Sequence, residues 1–169
     1  MSIARQNWSL ECEQELNEQI GLEFYAGFYY KLLSCWFGSD KIAYDKLSIY
    51  FENESEEEFK HANRLIRYQV KRGGTYSFDG ISKIDIPGDS VLECFKKVLN
   101  LERKVNTSLL KLHKTAEGAN DPHFMGVIEG EFLNEQIDAN MELAKIITTL
   151  ENIGDNKALL WQYINQKFV

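Results

Sequence analysis

Residues 47–68 decide the fold, and they read LSIYFENESEEEFKHANRLIRY. Side chains at alternating steps of four and three residues share one face of a helix. In this stretch that face carries Leu47, Phe51, Glu54, Glu58, His61, Leu65 and Tyr68. The face is apolar at both ends, as a core seam should be, but its middle holds two carboxylates and an imidazole. The stretch therefore predicts a core-facing helix with a polar site at its centre.

Turn-forming residues are sparse and divide the chain into four long segments and a short tail. They cluster at residues 37–41, 73–90, 118–122 and 153–156. Ser90 and Glu93 form a capping box, and Asp121-Pro122 offers an N-cap followed by proline at the first helical position. We therefore predict five helices, named A to E, over about residues 9–37, 44–72, 91–118, 122–152 and 156–167.

The lengths of the connections predict how these helices are arranged. The A–B and C–D connections are short, so each pair should form an antiparallel hairpin. The B–C connection from Gly73 to Ser90 has 18 residues, with a turn-like Pro87-Gly88-Asp89, and can run along the bundle. The expected fold is all-α, a four-helix bundle with one long B–C crossover and a short fifth C-terminal helix. The length of the chain predicts a single domain over residues 1–169.

Two other helices repeat the anomaly of helix B. Glu23 in helix A and Glu102 in helix C lie in the middle of faces that are otherwise apolar. No lysine or arginine lies in these seams, so the buried carboxylates need another counter-charge, which two divalent cations would supply. Glu58 and His61, three residues apart, form the pair that di-iron bundles use, and carboxylate with imidazole suits iron. Any one of them alone is more often a surface residue or a hydrogen-bonded core residue, so the prediction depends on three helices agreeing.

Helix D indicates that the site is asymmetric. A symmetric di-iron site would use a second Glu-x-x-His motif, whereas helix D supplies Gln136 at the corresponding depth. The second metal would then be held by Glu102, a shared Glu58 and water. It should bind more weakly, which suits passing iron through the site rather than keeping it as a cofactor.

Composition excludes several classes of protein. The 26 acidic residues outnumber the 19 lysines and arginines, giving a net charge of −7, so neither a nucleic acid nor an anionic membrane is an expected partner. No apolar run approaches a membrane span, and the N-terminus lacks the apolar core of a signal peptide. The three cysteines form no metal or disulfide pattern. We therefore expect a cytoplasmic protein.

Several longer stretches carry a family resemblance. They are RQN at 5–7, QIGLEFYA at 19–26, KRGG at 71–74, VNTSLLKLHK at 105–114, NDPH at 120–123 and FLNEQ at 132–136. At these residues, and over essentially its whole length, the chain resembles the ferritin family, specifically the animal heavy-chain type. The family's ferroxidase-centre positions fall on Glu23, Tyr30, Glu57, Glu58, His61, Glu102 and Gln136.

The resemblance implies a role for each of these positions. Glu23, Glu58 and His61 match the first iron site, while Glu58 also bridges to the second site at Glu102. Gln136 matches the glutamine beside that second site.

Two further positions complete the implied centre. Tyr30 matches the tyrosine near the metals, and Glu57 matches a flexible carboxylate that helps iron to move toward the cavity. A complete set argues against a catalytically silent subunit.

The resemblance also implies the function and the assembly. It implies a ferroxidase that oxidises Fe(II) with dioxygen at an intrasubunit site for two irons and stores the product as a hydrated ferric oxide. The expected partners are other copies of the chain in a 24-subunit shell, which can be mixed with other ferritin chains.

Departures from the family pattern support an alternative function, a storage or structural shell subunit with slow or impaired iron uptake and mineral nucleation. In the three-fold channel, Gly126 replaces one carboxylate, which leaves His123 and Glu129 as guides for iron. On the inner surface, Lys60 and Asn63 occupy positions where the family has glutamates that promote mineral growth.

Two further features concern Glu54 and helix E. Glu54 lies where the family has a neutral amide, and we expect it to reach solvent rather than to act as an additional ligand. In helix E, Leu160, Ile164 and Phe168 share an apolar face that matches the lining of the family's four-fold channel. Such a face predicts a closed, dry contact rather than an ion path.

Overall fold

The structure is a computed structural model that describes residues 2–85 and 90–168. These residues form helices and their connections, with no strand in the described part of the chain. The elements are α1 (Leu10–Phe37), α2 (Asp45–Lys71), α3 (Val91–Gly118), α4 (Pro122–Ile128), the π-helical turn π1 (Glu129–Leu133), α5 (Asn134–Ile153) and α6 (Lys157–Lys167). The predicted fold class, a four-helix bundle with a short fifth helix, is confirmed.

Helix D differs from the uninterrupted helix that we predicted over residues 122–152. It consists of α4, the five-residue turn π1 and α5, which ends at Ile153. Gly126 and Gly130 lie in this region, and glycine weakens an α-helix, which eases a local change of hydrogen-bond register. The turn ends three residues before Gln136, so it changes the direction from which α5 presents its first residues to α3.

The starts of the helices depend on short polar side chains. Ser9, Ser90, Asp121 and Asn156 each accept a hydrogen bond from the backbone N–H three residues later, at distances of 3.0 to 3.2 Å. These bonds satisfy donors that have no partner inside the helix. Helices A and E were predicted one residue too long at the N-terminus because Ser9 and Asn156 are caps outside the helices.

The crossover begins by following α1. The side chain of Asn17 donates to the carbonyl oxygen of Thr75 at 3.0 Å, and the backbone N–H of Thr75 donates to Glu13 Oε1 at 2.7 Å. Residues 73–85 form no helix or strand, as a crossover along the bundle requires. The predicted turn at Pro87-Gly88-Asp89 lies outside the described residues. No described helix has the length and apolar character needed to span a membrane.

The apolar core is divided into two clusters along the bundle. The first contains Tyr30, Phe37, Phe51, Phe95, Val98 and Leu101 among others. The second contains Leu16, Ile20, Ala62, Leu65, Val105, Leu109 and Phe124 among others. Glu23, Glu58 and Glu102 occupy chain positions between members of the two clusters. The fold therefore places three buried carboxylates at the level where the apolar core is interrupted.

Gly73 provides a test of how α2 ends. Its φ is +75°, and a Cβ added there would approach the backbone nitrogen of Arg5 to 2.8 Å. We expect Gly73→Ala to destabilise the protein by about 1–3 kcal/mol, because alanine would be strained and would collide with backbone. Gly21→Ala is the matched control, since a Cβ there meets nothing within 4 Å. It should be neutral or stabilising in the same thermal unfolding measurement, and equal effects of the two changes would contradict this account.

Candidate metal centre

Three elements bring potential metal ligands to the interruption of the core. Helix α1 supplies Glu23, α2 supplies Glu58 and His61 from adjacent turns, and α3 supplies Glu102. Glu23, Glu58 and His61 each offer a ligand atom, and these atoms all lie within 4.8 Å of one another. The i, i+3 spacing on α2 thus produces the juxtaposition that the sequence predicts.

The two carboxylates of this cluster are incompletely satisfied. Glu23 is 1% exposed and Glu58 is 7% exposed. Glu23 Oε2 and Glu58 Oε2 have no hydrogen-bond partner among residues 2–85 and 90–168. Burying an ionised carboxylate without a partner is costly, whereas a cation would compensate it. The donor set, two carboxylates and an imidazole, therefore fits a divalent metal ion such as iron or zinc.

The pKa values of Glu23 and Glu58 show that their negative charges are unfavourable in the metal-free site. Burial and the neighbouring Glu58 raise the pKa of Glu23 well above its usual range. Burial raises the pKa of Glu58 to about 8, and the charges of Glu102 and Glu54 act in the same direction. A bound cation would oppose both effects, because it favours the ionised carboxylates.

His61 is held between two carboxylates on different elements. Its Nδ1 lies 3.4 Å from Glu58 Oε2, and its Nε2 lies 3.2 Å from Glu135 Oε2 on α5. A proton on Nε2 that is donated to Glu135 would leave Nδ1 free to bind a metal on the Glu58 side. Helical periodicity did not predict a role for Glu135, because it follows a π turn that the sequence pattern does not reveal.

Glu102 is engaged differently from Glu23 and Glu58. Its Oε1 accepts a hydrogen bond from the Tyr30 hydroxyl, and its Oε2 accepts one from Gln136 Nε2 at 2.8 Å. The structure thus brings Tyr30 and Gln136 to Glu102, while Glu102 is outside the three-residue cluster. With both oxygens engaged by donors, Glu102 is the ligand candidate that must exchange partners before it can bind a metal.

Glu58, His61 and Glu102 line one acidic cavity of about 160 Å³. Its lining includes the polar residues Tyr30, Tyr50, Glu54, Glu57, Glu58, His61, Glu102, Glu135, Gln136 and Glu142. Glu54 is half-buried on this lining, so the residue is still partly exposed to solvent. That it does not act as an additional ligand stays a prediction. Burial and the charges of Glu102 and Glu142 raise the pKa of Glu54 to about 7. The cavity is therefore built to attract cations toward Glu58 and Glu102.

Comparisons with known proteins identify the family. A family model described as a ferritin-like domain matches residues 13–153. The ferritin heavy chain of Echinococcus granulosus is 40% identical over 168 residues, which cover 99% of this chain and 95% of that protein. The chain belongs to the ferritin family. The resemblance to the heavy-chain type, inferred from the sequence, is thereby confirmed.

Glu57, predicted to be a flexible carboxylate that helps iron to move, is paired in this structure. It lines the cavity, and its Oε1 lies 2.6 Å from Lys60 Nζ. Lys60, predicted to replace an acidic residue of the family, partly neutralises the charge of Glu57. Both side chains are more than half exposed, so solvent weakens the pair and Glu57 can leave it at little cost.

The two predicted channel guides have separate partners. Glu129 Oε1 lies 2.7 Å from His113 Nε2, and His123 Nδ1 lies 3.1 Å from the Tyr68 hydroxyl. Each guide is thus held by a neighbour within the chain. Their role in a three-fold channel stays a prediction.

Helix α6 packs differently from the expected channel lining. Ile164 is 1% exposed and Phe168 is 6% exposed, and both belong to the chain's own first core cluster. Leu160 is only partly buried against that cluster. Burial within one subunit is at odds with a channel lining formed by Ile164 and Phe168, and it leaves Leu160 as the candidate. Helical periodicity correctly groups the three residues but does not say which neighbour covers them.

The raised pKa values predict how stability and metal binding depend on pH. A carboxyl with a raised pKa in the folded protein retains a proton that the unfolded chain has lost, so the metal-free protein should lose stability as the pH rises from about 5 to 8. Each retained proton contributes a slope of about 1.4 kcal/mol per pH unit. Zinc should oppose this loss, because metal binding needs the deprotonated carboxylates.

Thermal unfolding with and without zinc measures both effects. The variant Glu58→Gln should flatten the pH dependence of the metal-free protein, whereas Glu117→Gln, at an exposed residue outside the cavity, should not. A pH dependence that is identical in Glu58→Gln and the parent protein would contradict this account.

The contact between His61 and Glu135 predicts a tautomer. We expect solid-state NMR of ¹⁵N-histidine to show His61 protonated at Nε2, which is practical because the chain has only three histidines. Glu135→Ala should shift His61 toward a tautomer mixture, whereas the control Asp138→Asn, exposed on the same helix, should not. Glu135→Gln retains an acceptor and should preserve the parent signal. An unchanged spectrum in Glu135→Ala would show that Glu135 does not orient the ring.

Proposed function

We propose that this chain is an iron-storage ferritin subunit with ferroxidase activity. It oxidises Fe(II) to Fe(III) with dioxygen at a site for two irons within each subunit, and the product is stored as a hydrated ferric oxide inside a 24-subunit shell. The observation that carries the proposal is the cluster of Glu23, Glu58 and His61, in which one buried oxygen of each carboxylate has no hydrogen-bond partner among the described residues. The name of the Echinococcus granulosus relative, a ferritin heavy chain, supports it.

The first iron binds to the cluster that is already assembled. Glu23 and Glu58 provide the negative charge, and His61 binds through Nδ1 while Glu135 holds its other nitrogen. Because these ligand atoms lie within 4.8 Å of one another, little rearrangement is needed. We therefore expect the first metal position to fill before the second.

The second iron shares Glu58 and recruits Glu102. Glu102 must release the bond from Tyr30 or from Gln136, which makes the second position weaker than the first. A weaker second position suits a substrate that has to leave after oxidation. Tyr30 and Gln136 then act by holding Glu102 ready and by receiving it again when iron departs.

The carboxylates favour oxidation by charge. Anionic ligands stabilise Fe(III) more than Fe(II), so the site lowers the free energy of the oxidised ion. Two Fe(II) ions each give up one electron, and dioxygen with two protons accepts both electrons, which balances as hydrogen peroxide. Pairing the irons therefore allows a two-electron step that a single Fe(II) could not support.

The acids at the mouth of the cavity guide iron into and out of the site. Glu57 and Glu54 line the same cavity as Glu58 and Glu102, and Glu57 can leave its exposed pair with Lys60. We expect the assembled shell to lie in the cytoplasm and to contain copies of this chain, alone or with other ferritin chains. The net charge of −7 supports neither a nucleic acid nor an anionic membrane as a partner.

A second candidate function is a shell subunit in which iron uptake and mineral growth are slow. It is favoured by the contacts of Glu129 with His113 and of Glu57 with Lys60, which engage two carboxylates that could otherwise contact moving iron. It predicts slow initial oxidation in the parent protein and a small iron load. Fast oxidation of the first two Fe(II) per subunit with poor later growth would instead place the defect in mineral nucleation.

The test is the initial rate of Fe(II) oxidation in air, followed by stopped-flow absorbance on the metal-free protein. Replacing both ligands in Glu58→Gln/His61→Ala should lower the rate at least about tenfold, because the first position is lost. Glu56→Gln, an exposed change on the same helix, is the control and should keep the parent rate. Light scattering on each variant checks assembly first. A correctly assembled double variant that oxidises iron at the parent rate would overturn the proposal.

A further inference from the structure

Gln19 is a fully buried amide whose one hydrogen bond reaches the metal cluster. It lies on α1 one turn before Glu23 and is 0% exposed. Its Nε2 donates to Glu23 Oε1 at 2.7 Å. Its own Oε1 is buried and has no hydrogen-bond partner among the described residues. The side chain therefore leaves half of its hydrogen-bonding capacity unused in order to hold one oxygen of Glu23.

Gln69 shows what a buried glutamine with a structural role looks like in the same protein. It is also 0% exposed. Its Oε1 accepts from Trp8 Nε1 at 3.2 Å, and its Nε2 donates to the backbone oxygen of Glu13 at 2.9 Å. Both ends of that amide join separate parts of the fold. Gln19 makes no such connection, so fold stability alone does not explain an amide at its position.

Stability alone would favour an apolar residue at position 19. The neighbours of Gln19 on the same helix, Leu16 and Ile20, are 0% exposed members of the second core cluster. A side chain such as methionine would fill similar space and leave no unpaired buried oxygen. An amide at position 19 is explained if Glu23 needs a hydrogen-bond donor there.

The bond also selects which oxygen of Glu23 is available. Oε1 is engaged by Gln19, while Oε2 remains without a hydrogen-bond partner. Gln136 is the counterpart on the other side of the site, since it donates to Glu102 Oε2 at 2.8 Å. Glu23 and Glu102 thus each accept a hydrogen bond from the side-chain amide of a glutamine. A hydrogen bond to one oxygen limits the rotation of the carboxylate and leaves its other oxygen available to a metal.

We propose that Gln19 is a positioning residue of the metal centre, which holds Glu23 so that its free oxygen meets the incoming cation together with Glu58 and His61. This inference rests on the proposed function, because it assumes that the cluster binds a metal. It assigns to Gln19 an effect on metal affinity that acts only through Glu23. The sequence analysis gave Gln19 no role.

The experiment measures zinc binding to the metal-free, assembled protein by titration calorimetry, because zinc binds carboxylate and imidazole without redox chemistry. Gln19→Met removes the donor at similar volume and should weaken zinc binding about 10- to 100-fold. Gln69→Met is the matched control at an equally buried glutamine. It should lower the thermal midpoint but leave zinc affinity unchanged.

A double-variant cycle separates positioning from general damage. In a Glu23→Ala background, Gln19→Met should have no further effect on zinc affinity, because the carboxylate that it positions is gone. A purely structural role would persist in that background. Gln19→Asn places its amide one methylene short of Glu23, and it should behave as Gln19→Met does. If Gln19→Met fails to assemble, the zinc affinity of Gln19→Asn tests the proposal in its place.

The outcomes distinguish this inference from the proposed function. If the parent protein binds zinc through Glu23, Glu58 and His61 but Gln19→Met and Gln19→Asn bind it within twofold of the parent, only the role of Gln19 is overturned. An equal loss in Gln69→Met, or a loss that persists in the Glu23→Ala background, overturns it as well. If the parent protein binds no zinc at these residues, the proposed function and the role of Gln19 fail together.

Discussion

A layer of buried carboxylates without counter-charge interrupts the core of this bundle, and the rest of the structure is arranged around that constraint. Glu23, Glu58 and Glu102 enter the layer from three different helices. Apolar clusters on either side pack the helices together and hold the three side chains close to one another. The hydrophobic clusters thus supply the stability that the polar layer lacks, and a cation is the natural compensation.

The carboxylates of this layer differ in how many of their oxygens are hydrogen-bonded. Glu102 receives hydrogen bonds on both oxygens, from Tyr30 and from Gln136, whereas Glu23 and Glu58 each retain an oxygen without a partner. Under the proposed function, the first metal position is therefore ready and the second has to break bonds before it forms. This inequality would suit iron as a substrate that passes through the site, since two equally tight positions would retain it.

The outer part of the site is less acidic than its number of glutamates suggests. The cavity collects negative charge at Glu54 and Glu142, but Lys60 neutralises Glu57 and His113 engages Glu129 at a distance from the cavity. These exposed pairs are weak and exchange easily with solvent. Supply of iron and growth of the mineral are therefore the steps at which this chain should differ most from ferritins that carry acids at those positions.

The sequence by itself determined the helix starts, the all-α class and the shared face of Glu58 and His61 on α2. Caps such as Ser90 and Asp121 mark helix starts through local hydrogen bonds, and Glu58 and His61 share a face because three residues make nearly one helical turn. Such features depend on neighbours along the chain, so a pattern in the sequence is enough to predict them.

Only the tertiary structure decided which partners meet across helices. It brought Glu135 to His61, gave Gln19 a bond to Glu23 alone, and buried Ile164 in the chain's own core. Periodicity places a side chain on a helix face, but the rotation of that helix and the π turn at Glu129–Leu133 set which residue it faces. Those depend on packing between segments far apart in sequence, and packing is a property of the whole fold rather than of any one stretch.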